Sequence, residues 1–273
     1  MPASPLPSRG GSSPRRAAGS SKRSYWPMIL IGIAAVFAVI VAGLPASIIS
    51  HFLPPVVRAE DFSGSIWHGS AGKITVDARP AGALEWRLHP AALLGMAVAA
   101  DLHWVKVGFV IDAAVRLDRH GYLAQDIKGG GPIEDLRDLG IAPGWHGSAA
   151  IALSELRGDL SKPLLAAGDI TVANLASPQV AEGADLGGYV LRFPQNAVNA
   201  DGDVVAQLSD TGGPLEAQAD VHYAAAERIA TLSGSLRERA DAPAALRRQI
   251  DNLTQLHPRD SQGRVPVDFE FRF

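Results

Sequence analysis

From Asp61 onward, the chain consists mainly of short stretches in which apolar and polar residues alternate. Such alternation puts every second side chain on the same face of a β-strand. Gly, Pro, Asn and Asp separate the stretches, which recur every ~8–18 residues without long helical segments between them. We therefore predict antiparallel pairing, because parallel strands need long crossover connections.

Three stretches show the alternation most clearly. Residues 84–88 stop at a His-Pro pair, residues 96–105 place Met96 to Trp104 on one face, and residues 264–273 alternate without interruption. The last stretch is predicted to be a sheet strand whose phenylalanines lie in the core. A hairpin is predicted where residues 65–67 and 73–76 flank the small residues 69–72. The other predicted strands are 109–117, 122–127, 148–156, 167–174, 188–193, 198–208, 216–223 and 229–236.

Two short helical segments are also predicted. Residues 133–139 follow Pro132 and precede Gly140, which are helix start and stop signals. A later helix would be capped by Asp241, would have Pro243 in its first turn, and would have an apolar face formed by Leu246, Ile250, Leu253 and Leu256. The predicted fold is mainly β: a curved antiparallel sheet domain with one or two short helices.

An uncharged apolar segment runs from Trp26 to Ile49, after a tail with five basic and no acidic residues. A helix needs about 20 such residues to cross a bilayer, and aromatic residues such as Tyr25 and Trp26 prefer its interface. We predict a single transmembrane helix with a cytoplasmic N-terminus, because basic tails stay inside. A cleaved signal peptide is the alternative, but its apolar region is usually shorter and ends in small residues.

The chain therefore divides into four predicted parts. Residues 1–24, rich in Ser, Pro, Gly and Arg, form a disordered basic cytoplasmic tail. Residues 25–50 form the transmembrane helix. Residues 51–60, which contain a Pro-Pro pair, form a linker. Residues 61–273 form a periplasmic β-rich domain.

Composition and motifs argue against several functions. The formal net charge of −3 gives no reason to expect nucleic-acid binding, and the absence of cysteine means that the domain has no disulfides. The eight histidines are scattered without metal-ligand spacing, and neither a phosphate-binding loop nor a Gly-x-Ser-x-Gly motif occurs. We predict no catalytic residue, no cofactor, no metal site and no enzymatic activity.

The string Trp-His-Gly-Ser-Ala occurs twice, at residues 67–71 and 145–149. A repeated string with two uncommon residues suggests either a duplicated structural element or a pair of functional sites. Histidine in a strand–turn setting is more often a surface residue than a base. The tryptophans lie among alternating apolar residues, so we predict that they fill the core-facing side of the sheet.

Two elements after the apolar segment resemble a known family. The first is Gly64-Ser65-x-Trp67-x-Gly69, and the second is Leu84-x-Trp86-x-Leu88-x-Pro90. In this order they resemble the type II secretion system protein N family. The cytoplasmic tail is longer and more basic than expected of that family.

The resemblance implies a bitopic protein of the bacterial inner membrane with a periplasmic β-rich domain similar to AsmA-like domains. Its implied role is that of an accessory component of the type II protein secretion apparatus. It would act by assembly or protein–protein interaction, and its partners would be other inner-membrane and periplasmic secretion components. A lipid-handling or envelope-maintenance protein with an apolar groove is the alternative, with lipid as a further partner. No catalytic residues are implied.

Overall fold

A computed structural model describes residues 43–273, apart from 140–142, 160–161, 196, 200–201, 225–226, 228 and 273. The β-strands found among them are β1 (Val57–Gly64), β2 (His68–Val76), β3 (Arg79–Leu88), β4 (Val98–Lys106), β5 (Phe109–Asp118), β6 (Gly121–Pro132), β7 (His146–Gly158), β8 (Pro163–Ser177), β9 (Val180–Asp185), β10 (Gly188–Phe193), β11 (Val204–Gly212), β12 (Leu215–Ala224), β13 (Ile229–Glu238) and β14 (Val265–Arg272). The helices are the 3₁₀ helices η1 (Ala46–Phe52) and η2 (Ile133–Leu139) and the α-helices α1 (Pro90–Leu93) and α2 (Ala244–Leu256).

All these strands belong to one sheet in which neighbours along the chain are neighbours in space. The order is β1 to β8 and then β10 to β14, while β9 pairs with β8 off this path. Every pairing is antiparallel. Successive turns therefore alternate between two ends of the sheet. The first rim carries the connections at residues 65–67, 89–97 and 119–120, and the second rim carries those at 77–78, 107–108 and 133–145.

The register aligns apolar residues into a row that crosses the sheet from β1 to β14. Because residues opposite each other in a sheet share a face, this row defines one apolar face. Its members are Phe62, Ala71, Leu84, Trp104, Ile111, Gly129, Ile151, Ile170, Leu191, Leu208, Ala219, Gly234 and Val267.

The neighbouring row lies on the opposite face and is polar except at Ala152. Its members are Ser63, Ser70, Glu85, His103, Asp112, Lys128, Ala152, Asp169, Arg192, Gln207, Asp220, Ser233 and Asp268. Several of these residues bond across the strands, including His103 Nδ1 with Asp112 Oδ1 at 2.6 Å and Ser233 Oγ with Asp268 Oδ1 at 2.7 Å. One side of the sheet is therefore suited to water and the other is not.

Helices cover the apolar face near the ends of the strands. At β1 and β2, η1 packs Ala46 and Ile49 against Ala71 and Trp86. At the second rim, α2 packs Leu246 and Ile250 into a cluster with Leu186 and Val265. Many apolar side chains between these clusters, such as Ile151, Ile170 and Leu191, stay only half-buried.

The 3₁₀ helix η2 is held to the second rim by polar contacts. Lys106, only 4% exposed, donates from Nζ to the Pro80 carbonyl at 2.8 Å and to Asp138 Oδ2 at 3.2 Å. The Gly108 amide donates to Asp135 Oδ2 at 3.0 Å. A buried lysine is tolerated when its ammonium is paired in this way. The carboxylates of η2 thus hold this helix in place.

The structure confirms a mainly β, antiparallel fold with few short helices. It also confirms a helix at 133–139, here of the 3₁₀ type, and the late helix with Leu246, Ile250 and Leu253 on its packed side. The predicted tail at 1–24 and the part of the predicted transmembrane helix up to residue 42 lie outside the described residues. The end of that predicted helix was wrong: Pro45 forms a β-bridge with Ser65, and residues 46–50 belong to η1, which packs on the sheet. Within the described part of the chain, no helix has both the length and the apolarity needed to span a bilayer.

Several local predictions differ from the structure. The strand predicted at 198–208 is β11, which begins at Val204 and extends to Gly212, and Met96, predicted on the face of a strand, lies before β4 with a φ of +53°. The predicted hairpin was wrong: its turn is at 65–67, and residues 69–72 continue β2, because Gly64 takes a positive φ and starts the turn earlier. The predicted cap was wrong as well, since Pro243 is the N-cap residue and no side chain caps α2. Strand β9 was missed. Phe269 and Phe271 are 47% and 50% exposed rather than in a core, because α2 covers only the other end of β14.

The segment 51–60, assigned to a linker from the sequence, contains the end of η1 and the start of β1 at Val57. The Val57 amide donates to the Pro54 carbonyl at 2.9 Å. The Pro-Pro pair therefore forms a turn that leads directly into the first strand.

An ion pair between Glu238 and Arg259 predicts a specific pH dependence of stability. Arg259 donates to both carboxylate oxygens of Glu238, at 2.7 and 3.0 Å, and this hydrogen bonding lowers the pKa of Glu238 from its ordinary value. A carboxyl whose pKa is lower in the folded state stabilises the fold above its unfolded pKa. That stabilisation is lost as the pH falls through the folded pKa.

We expect Glu238→Gln to lower the free energy of unfolding by about 1 kcal/mol at pH 7. The difference from the unchanged protein should begin to shrink below about pH 4, the unfolded pKa, and should vanish only below the lower folded pKa, where both chains carry a neutral group. Urea unfolding at several pH values measures it, with the exposed Glu60→Gln as the control. An equal loss at pH 7 and pH 2.5 would contradict the prediction.

Candidate functional site

The eight residues singled out from the sequence lie together at the first rim, and we call them the signature cluster. Gly64 ends β1, Ser65 and Trp67 form the turn, and Gly69 lies in β2. The others are Leu84, Trp86 and Leu88 on β3, and Pro90 at the start of α1. The pairing of β2 with β3 brings the two elements together, since Gly69 lies opposite Trp86 and His68 opposite Arg87.

The turn between β1 and β2 is closed by backbone and side-chain bonds. Gly64 has a φ of +78°, which a residue with a Cβ rarely adopts. The Ser65 amide donates to the His68 carbonyl at 2.9 Å, and the His68 amide donates to Ser65 Oγ at 3.2 Å. The glycine and the serine of the first element are therefore explained by the turn that they form.

The indole of Trp86 connects the second element to this turn. Trp86 is 8% exposed, and its Nε1–H donates to the Ile66 carbonyl at 2.9 Å. Its ring meets Phe62 edge-on, with ring centroids 6.4 Å apart. A buried indole needs a partner for its N–H, and the turn carbonyl supplies it.

Gly69 makes room for that indole. A Cβ at Gly69 would lie 2.7 Å from Cζ2 of Trp86, 2.6 Å from the Ser65 carbonyl oxygen and 2.9 Å from the Ser63 carbonyl oxygen. Two of these neighbours are backbone atoms, so the clash cannot be relieved by moving a side chain. Gly69 is therefore required by the packing of Trp86 against the turn.

The same turn receives the chain that arrives from the N-terminal side. The Ile66 amide donates to the Leu44 carbonyl at 2.9 Å, and Pro45 forms a β-bridge with Ser65. On the other side, the Leu88 amide donates to the Trp67 carbonyl at 2.7 Å. The signature cluster thus fixes three chain segments at one point, where the polypeptide enters the sheet.

The two copies of Trp-His-Gly-Ser-Ala occupy opposite rims. The first forms the turn and the start of β2 at the first rim. The second starts β7 at the second rim, where Trp145 packs against the cluster that contains α2. The repeat is therefore not a pair of cooperating sites, because the strands separate its copies.

Titratable groups gather instead on the polar face beside the signature cluster, around β3, β4 and β5. His89 Nε2 lies 3.1 Å from Asp101 Oδ2, and His103 Nδ1 lies 2.6 Å from Asp112 Oδ1. These pairs are exposed to water, where such contacts contribute little to stability. Sequence reasoning did not single them out, although the alternation places all four on polar positions. In the part of the chain that the structure describes, no three His, Asp or Glu residues are arranged to hold a metal ion.

Gly69→Ala tests the contact between Gly69 and Trp86. We expect a loss of about 1–3 kcal/mol in the free energy of unfolding, because the added methyl group overlaps backbone and ring atoms. Gly72→Ala on the same strand is the control: its nearest neighbour would be Asp61 Cβ at 3.2 Å, and the effect should be small. Chemical unfolding followed by tryptophan fluorescence measures both. Equal losses for the two variants would contradict this account of Gly69.

Comparison with known proteins gives one result for the family. Residues 55–268 match the family model described as type II secretion system (T2SS), protein N, a segment that contains the signature cluster and almost the whole sheet. No curated protein and no solved structure matches the chain. The match covers well over half of the 273 residues. This chain therefore belongs to the type II secretion system protein N family.

Proposed function

We propose that this chain is an accessory inner-membrane component of the type II secretion apparatus, and that it acts through protein–protein contacts in the periplasm rather than by catalysis. The observation that carries the proposal is the family match over residues 55–268. Residues 25–42 would hold the protein in the membrane with its N-terminus in the cytoplasm, since residues 44–50 belong to the sheet domain. The signature cluster would then join this anchor to the periplasmic sheet.

The edges of the sheet support a role in protein–protein contact. In the described residues, β1 pairs only with β2 and β14 only with β13, so each edge strand leaves backbone donors and acceptors available. Edge strands of this kind can accept a strand from another protein.

The two edges differ in how well they are protected against such pairing. Along β1, Asp61 has a φ of +57° and interrupts the pairing, and the exposed Arg58 and Glu60 add charge. Charges and irregularities of this kind discourage strand addition. Along β14, Phe269 and Phe271 are half-exposed, and their ring centroids lie 6.4 Å apart. We propose β14 as the edge that meets another secretion component.

Secretion by a deletion strain tests the proposed role. Loss of the gene is expected to impair export of type II substrates, and the unchanged gene should restore it. The variant Phe269→Ser/Phe271→Ser should restore it only partly, because the β14 edge loses its apolar side chains.

The melting temperature Tm of that variant should fall by less than about 8 °C, since both phenylalanine rings are half-exposed. Arg58→Ser/Glu60→Ser on β1 is the matched control and should restore secretion fully. Normal secretion by the deletion strain would contradict the proposed role. Full restoration by the β14 variant would contradict only the assignment of the edge.

A second candidate function is lipid binding, and the apolar face favours it. The apolar row extends across the sheet, yet Ile151, Ile170 and Leu191 at its centre remain half-buried. The helices of the described part pack near the rims and beside β1 and β2. Acyl chains would remove this apolar surface from water.

Native mass spectrometry of the full chain in mild detergent tests this candidate. Purified protein is expected to carry phospholipid. Ile151→Ser should lower the bound fraction severalfold because it places a hydroxyl in the apolar row. Asp169→Ser on the polar row is the control and should leave the fraction unchanged. Folded protein without any bound lipid would remove this candidate function.

A further inference from the structure

The connection between β3 and β4 presents apolar side chains to solvent on an ordered backbone. Leu93, Leu94 and Met96 are 49%, 92% and 77% exposed. This connection contains α1, and its backbone is hydrogen-bonded: the Gly95 amide donates to the Ala92 carbonyl at 2.9 Å and the Met96 amide to the Leu93 carbonyl at 3.0 Å. We call residues 93–96 the apolar loop.

Neighbouring contacts hold the apolar loop in this exposed position. Ala97, directly after the loop, is 3% exposed, and its amide donates to the Ala92 carbonyl at 3.2 Å. Met96 has a φ of +53°, a conformation that a residue with a Cβ adopts at a cost. The large apolar side chains of the loop thus face solvent on a hydrogen-bonded backbone. Exposed apolar groups in such a cluster indicate an interaction site.

The apolar loop lies on the first rim, the rim at which the chain enters the sheet. Leu44 and Pro45 are bonded to the turn at residues 65–67, and the carbonyl of Trp67 accepts the amide of Leu88, just before the loop. In the sequence, the uncharged residues 26–43 lead into this point. If that segment is the membrane anchor, the first rim is the part of the sheet tied most directly to it.

The surface beside the apolar loop has the composition of a membrane interface. Val98 and Leu117 face each other across β4 and β5, and each is 44% exposed. A Cβ at Gly95 would lie 3.9 Å from a guanidinium nitrogen of Arg116, so a basic group borders the loop. Exposed Arg119 follows in the β5–β6 turn, while the neighbouring Asp118 carboxylate accepts the His120 amide at 2.7 Å. Apolar side chains next to basic groups suit anionic phospholipid headgroups and the acyl chains beneath them.

We propose that the apolar loop, together with Val98 and Leu117, inserts into the outer surface of the membrane that the N-terminal segment spans. The ligand is the phospholipid bilayer itself. The inference rests on the membrane anchoring given under the proposed function. It adds that the first rim of the sheet lies against the bilayer and that the second rim points away from it.

The absence of cysteine from the chain permits a direct test on the full-length protein. Leu94→Cys places one thiol in the apolar loop. Val107→Cys, at a position that is 81% exposed in the β4–β5 turn, places one at the second rim as a matched control. Each variant is labelled with the environment-sensitive dye NBD and reconstituted into vesicles of phosphatidylethanolamine and phosphatidylglycerol.

For the dye on the Leu94→Cys variant we expect blue-shifted emission and quenching by lipids with spin-labelled acyl chains. Its quenching constant for aqueous iodide should be about fivefold lower than that of the dye on the Val107→Cys variant. Equal iodide quenching of the two variants would overturn the inference. Protection from iodide without quenching by the labelled lipids would also overturn it, because a protein partner or a second copy would then cover the loop.

Flotation of the same vesicles separates this inference from the proposed function. If the full chain does not float with the lipid, the proposed membrane anchoring is wrong. The proposed contact of the first rim with the bilayer is then wrong as well. If the chain floats while the dye in the apolar loop stays open to iodide, the anchoring stands and only the contact of the loop is wrong. Restored secretion in the deletion strain is measured independently of both results.

Discussion

The hydrogen bond from Trp86 Nε1 to the Ile66 carbonyl determines how the chain enters its sheet. It joins β3 to the turn between β1 and β2, and that turn holds Leu44 and Pro45 through backbone bonds. Gly69 leaves the space that the indole needs, and Gly64 supplies the positive φ that starts the turn. Removing the indole would leave the Ile66 carbonyl without this donor and would leave a gap beside Ala46 and Ala71, so the packing of the three segments is weakened by the loss of one side chain.

A sheet with one apolar and one polar face must shield the apolar face. Here η1 and α2 do so beside β1 and β2 and at the second rim, and the centre of the face is left half-buried. Because α2 packs only on the start of β14, Phe269 and Phe271 further along this edge strand stay exposed. Incomplete shielding gives the protein apolar surfaces on which other molecules can be accommodated, and both the protein-contact and the lipid-binding proposals follow from it.

Much of the fold could be predicted because alternation reports directly which residues share a face. The strands around residues 109–117, 148–156 and 229–236 lie where the alternation placed them. The turn at 65–67 could not be placed in the same way, because small residues such as those at 69–72 are compatible with either a strand or a turn. The cap of α2 was missed because Asp241 resembles an N-cap in sequence, while the N-cap residue is Pro243, two residues later, and the helix begins at Ala244.

The sequence by itself determined the period-two pattern, and with it a one-sided antiparallel sheet, because side-chain direction in a strand depends only on position along the chain. The sequence also identified the glycines and tryptophans of the signature cluster, because they occur at the spacing that resembles the family. Only the tertiary structure showed that Gly69 makes room for Trp86, that the two copies of the repeated string lie at opposite rims, and that the apolar loop shares a rim with the point of chain entry. These relations depend on which strands are neighbours and in which register they pair, and neither is contained in the pattern of a single strand.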